Sequence, residues 1–62
     1  MEDLDLSVMS DEFVAGYLRA LRDMDETAED CFGPLRSGRP IDGLRAAILM
    51  SISDAEAEDA RR

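Results

Sequence analysis

Sixty-two residues allow one small domain, and fifteen acids against seven bases give a net charge of −8. A chain this acidic is repelled by nucleic-acid phosphates and by anionic membrane surfaces, so direct binding to either is disfavoured. Cys31 is the only cysteine and histidine is absent, which excludes the disulfide framework and the zinc site that commonly staple chains below about 70–80 residues.

Residues 1–9 form an acidic lead-in in which Leu4, Leu6 and Val8 alternate with acids and a serine. No second strand candidate exists to pair with it, so it is expected as an extended tail, packed on the helices or added to another protein's sheet edge. Its acids, Glu2, Asp3 and Asp5, are the opposite of a basic signal-peptide start. The longest apolar run, Ala46–Met50, falls far short of the roughly 20 residues that span a bilayer. One free thiol suits a reducing compartment, and the expected location is the cytoplasm.

Ser10 reads as a helix N-cap, with Asp11 and Glu12 placing negative charge at the positive end of the dipole and Met9 and Val14 spaced as a hydrophobic staple. The helix is expected from Asp11 to Cys31 or Phe32, stopped by Gly33–Pro34. Val14, Tyr17, Leu21, Met24, Ala28 and Cys31 follow one another at steps of three and four, the alternation of a coiled-coil seam. Against the helix stand Asp23, Asp25, Glu26, Glu29 and Asp30, crowded toward the negative end of its dipole. That end should fray near Asp25 or be neutralised by a basic partner. These five acids are also the candidate acidic docking face.

Residues 33–40 hold two glycines, two prolines and a serine and read as a connection, with Leu35 a candidate plug for the end of the hairpin. Pro40 or Ile41 opens a second helix over 41–62. Its apolar residues are Ile41, Leu44, Ala47, Ile48 and Ile52, flanked by Leu49 and Met50, so around Ala46–Met50 it is apolar on nearly every side. A helix apolar all round is buried on several sides, more than one neighbour can cover. Ser53 to Glu56 spells a capping box, which predicts a break and restart near 53 or a polar last turn.

Little here could carry chemistry. Cys31 and the serines lack the imidazole or lysine that would activate them, and Glu29 and Asp30 oppose a thiolate at Cys31. The paired carboxylates lack the calcium-loop pattern and the Glu-x-x-His of bundle metal sites. Gly33, Gly38 and Gly43 lack the lysine of a phosphate loop. No catalytic, metal-binding or cofactor-binding residue is expected, and the chain is not read as an enzyme. Arg19 and Arg22 are expected to bridge to Asp11, Glu12, Asp23 and Glu26 on their own helix.

The expected fold is all-α, a single-domain helical hairpin that pairs into a four-helix bundle or docks on a partner. In length and layout alone it resembles a small plasmid copy-number repressor that dimerises as two helical hairpins. The expected interface comprises Phe13, Val14, Tyr17, Leu21, Met24, Ile41, Leu44, Ile48, Leu49 and Ile52. The functional expectation is a small interaction module, an adaptor, accessory or regulatory subunit of a larger protein or a homodimer. The alternative is an acidic inhibitor, antitoxin or anti-defence protein that imitates nucleic acid. Arginine as the sole base, with lysine and asparagine absent, is the usage of a GC-rich genome and suggests a bacterium or its phage.

Overall fold

A serine followed by two acids begins the first helix by supplying an acceptor to amides that have no intrahelical partner. In the computed structural model, which describes residues 5–62, the Ser10 hydroxyl accepts the Phe13 N–H at 3.1 Å and α1 runs Asp11–Phe32. Gly33 ends it at φ 75°, a left-handed backbone angle that suits glycine, with its N–H donating to the Glu29 carbonyl. Pro40, whose ring needs no amide hydrogen in a first turn, opens α2, Pro40–Arg61. α2 runs without interruption through Ser53, so the capping-box spelling does not break it. The described residues contain no strand; they form an all-α hairpin.

The lead-in departs from the extended tail expected of it. Leu6–Val8 is one turn of 3₁₀ helix, nucleated by Asp5, whose carboxylate accepts from the Ser7 amide at 3.1 Å and the Ser7 hydroxyl at 2.6 Å. Leu4 lies outside the described residues. The turn is fastened from the far end of the chain. Arg62 donates to the Leu6 carbonyl at 2.8 Å and the Met9 carbonyl at 2.7 Å, and pairs with Asp11 and Glu58. Leu6 packs against the core.

The seam between the helices lies beside the one the apolar spacing proposes. On α1 the buried residues are Val14, Leu18 and Leu21, and the half-buried Asp25 and Ala28 continue the same stripe. Met24 and Cys31 are exposed, and Tyr17 sits half-buried at the edge. On α2 the buried residues are Asp42, Arg45, Ile52, Ala55 and Glu58, with Ile41 and Ile48 half-buried; Leu44 and Leu49 are exposed. Leu18, Leu21, Ile52 and Ala55 form the core. Leu35 is exposed and plugs nothing. Arg22 reaches across the helices to Glu56 at 3.1 Å instead of pairing on its own helix, and both side chains remain exposed. An exposed pair of this kind contributes under about 1 kcal/mol.

A core this small makes each member matter. Truncating a buried leucine costs about 2–5 kcal/mol, comparable with the total that a core in a chain of this size supplies. Leu18→Ala is therefore expected to abolish cooperative thermal unfolding and most helicity at room temperature. Met50→Ala, at a residue 70% exposed, should change stability by no more than about 0.5 kcal/mol. Circular-dichroism melts of the two variants read both outcomes.

Candidate functional site

Because α1 and α2 can share only one seam, apolar side chains beside it stay uncovered. Toward the loop end of the hairpin they line a groove of about 370 Å³. α1 contributes Met24, Thr27, Ala28, Cys31 and Phe32; α2 contributes Ile41, Leu44 and Ile48. Met24 is 53% exposed, Phe32 47% and Leu44 59%, values typical of a surface, whereas the residues are those of a core. The groove's volume lies within the roughly 300–1,000 Å³ range of small-ligand sites. Among the described residues its lining nonetheless lacks the converging polar groups that orient a small molecule: Asp23, Thr27 and Arg45 are the polar ones there. An open, apolar, weakly polar trough of this kind is suited to side chains of another helix.

Beneath the groove the hairpin is closed by arginines. The last carbonyls of α1 have no intrahelical donors and carry the negative end of its dipole. Arg45, 3% exposed, donates to the Gly33 carbonyl at 2.8 Å. Arg39 donates to the carbonyls of Phe32 and Pro34, each at 3.2 Å. Asp42 pairs with both, to Arg39 through two hydrogen bonds and to Arg45 at 3.5 Å, so the three side chains together keep one positive charge. The acid-rich end of α1 thus stays helical through to Phe32, with no fraying near Asp25. The hydrogen bonds from Arg39 come first among the causes holding the Asp42 carboxyl below its ordinary range; burial opposes them, while the Arg36 amide and the charges of Arg39 and Arg45 assist. Arg45 Nε is buried without a hydrogen-bond partner.

The predicted interface residues divide three ways. Met24, Ile41, Leu44 and Ile48 come together in the groove. Val14, Leu21 and Ile52 are buried within the chain itself. Phe13 and Tyr17 stack on each other with ring centroids 6.0 Å apart, nearer the start of α1, and Leu49 is exposed outside the groove. Ala28, Cys31 and Phe32 belong to the groove yet are missing from the predicted interface, although Ala28 and Cys31 fall on the predicted seam. Of the acids, Asp23 borders the groove, Glu26, Glu29 and Asp30 are exposed elsewhere on α1, and Asp25 is half-buried. None of the five forms an ion pair among the described residues. No cluster of three or more metal-ligating side chains occurs among the described residues, and no helix there is long and apolar enough to cross a membrane. No protein-family model matches the chain, and neither a curated protein nor a solved structure matches it.

The Asp42 cluster sets a pH dependence. A carboxylate whose folded pKa is depressed contributes stability that is fully present above its unfolded pKa and lost as pH falls through the folded value. Asp42→Asn is expected to melt lower than the parent at about pH 6, with the difference closing toward about pH 2. Thermal melts of both proteins across that range check the sign.

Proposed function

We propose that this chain is a small acidic protein–protein interaction module, an adaptor, accessory or regulatory subunit, that engages other protein through the groove between α1 and α2. The observation that supports it is the half-exposure of Met24, Phe32 and Leu44 around a trough of small side chains. Large apolar residues grouped on an open face are a feature of interaction surfaces, and aromatic and methionine side chains are favoured within them. The reading assigns the chain no catalytic step: without histidine or lysine it has neither of the common neutral-pH bases that activate a nucleophile. It places the module in the cytoplasm of a bacterium or its phage, in keeping with a single free thiol and an arginine-only set of bases.

A second reading draws on the acids of α1 that form no ion pairs. Asp23, Glu26 and Asp30 recur at three and four residues and lie exposed, a row of negative charge like that of a nucleic-acid backbone. In that reading the chain is an inhibitor occupying a basic groove. The two readings separate by salt, because buried apolar area is insensitive to ionic screening and exposed charge is not.

Co-purification of tagged protein from its native host, with mass spectrometry of what is retained, tests the first reading. Partner capture is expected to survive about 0.5 M salt and to be lost in Leu44→Asp. Capture that disappears at that salt and withstands Leu44→Asp would transfer the function to the acidic row.

A further inference from the structure

We infer that residues 5–9 are a strap latched by the Arg62 guanidinium, and that rising ionic strength opens the latch and uncovers the end of the core opposite the groove while the hairpin stays folded. This goes beyond the interaction reading and does not depend on the groove.

The strap has little hold of its own. No residue of Leu6–Val8 is buried, and Val8 is exposed. Its internal bonds are local: Asp5 accepts from Ser7, and the Met9 amide donates to the Leu6 carbonyl at 3.1 Å. One turn closed by such bonds is not stable alone in water. The turn lies against α2, where the half-buried Leu6 packs on the core. The long-range polar bonds to it come from a single side chain. Arg62 Nη2 donates to the Leu6 carbonyl at 2.8 Å and the Met9 carbonyl at 2.7 Å. The same guanidinium pairs with Glu58 and with Asp11.

Those two acids make the latch sensitive to salt at one pole and firm at the other. The Glu58 side chain is 8% exposed, and a carboxylate so deep needs its cationic partners, Arg61 and Arg62. That pair roots Arg62 on α2. The Asp11 side chain is 84% exposed, so its attraction for Arg62 is open to screening. Lifting the strap removes Leu6 from a core made of Leu18, Leu21, Ile52 and Ala55. The clamp of Arg39, Asp42 and Arg45 at the loop does not involve the strap, so the helices keep their seam when it opens. Segments held by few apolar contacts and exposed bonds are those that open below the global unfolding free energy.

Amide hydrogen exchange, read residue by residue by NMR, separates the strap from the hairpin. In the parent at low salt the Met9 amide is expected to exchange at least about tenfold slower than an unstructured chain. About 0.5 M sodium chloride should remove most of that protection while Leu18 and Ile52 keep theirs. Arg62→Ala should bring Met9 to the unstructured rate at every salt concentration, again with Leu18 and Ile52 unchanged. Arg62→Lys should act nearly alike, because an ammonium cannot serve the separated acceptors of a planar fork. Arg61→Ala removes the same charge from the neighbouring residue, which pairs with Glu58 and not with the strap, and should leave Met9 protected. A Met9 amide that exchanges freely in the parent, ignores salt, or stays protected in Arg62→Ala overturns the inference. Equal loss of protection in Arg61→Ala and Arg62→Ala does so too, by making the effect one of net charge. If Leu18 and Ile52 lose protection together with Met9 in Arg62→Ala, the arginine belongs to the hairpin and is no latch. The salt series on the parent decides the same point without a substitution.

Discussion

Two antiparallel helices meet along one seam, and everything else in this molecule follows from what that seam cannot cover. α1 has a polar outer side and tolerates a single neighbour. α2 does not: between Ala46 and Met50 it is apolar around its circumference, so whichever stripe faces α1 leaves others bare. The stripe that wins is anchored by Ile52 and Ala55, and Leu44, Leu49 and Met50 are left outside it. The groove is what remains beside that seam.

Which stripe wins is decided at the loop. α1 ends in exposed carbonyls at the negative end of its dipole, with acids crowded behind them. Arg39 and Arg45 donate to the carbonyls of Phe32, the last residue of α1, and of Gly33 and Pro34 just past it, and Asp42 holds both arginines. Burying Arg45 and Asp42 is costly unless they are paired and hydrogen-bonded, as they are here apart from Arg45 Nε. Once Arg45 is turned inward to reach Gly33, Leu44 beside it on α2 turns toward the groove. At the other end Arg62 and Glu58 repeat the device, tying the N-terminal turn to the end of α2. Charged clamps at both ends and a short apolar seam between them make a hairpin in which few residues carry the packing.

The helix limits were legible in the residues because they are local. Ser10, Gly33 and Pro40 act on their own neighbours through a hydroxyl acceptor, a left-handed angle and a fixed φ, and need no tertiary partner. The seam was less legible. Val14, Leu21 and Ala28 belong equally to a stripe completed by Tyr17, Met24 and Cys31 and to one completed by Leu18, Asp25 and Phe32. Apolar spacing favours the first because Asp25 counts against the second. In the fold the polar position is half-buried and accepted, and Leu18 lies in the core. Likewise nothing in the local pattern of α2 marks Asp42, Arg45 and Glu58 as inward: their ion pairs are all with residues three or four positions away, which an outward-facing row would also allow, and only Arg45 reaches further, to the Gly33 carbonyl.

The amino-acid order by itself determined two helices, their ends, and an apolar surplus on the second, since capping and periodicity act within a few residues. The tertiary structure decided the rotation of each helix about its own axis. That rotation sorts the same leucines and methionines into core and surface, and it is set by carbonyls and arginines brought together only when the chain turns back on itself.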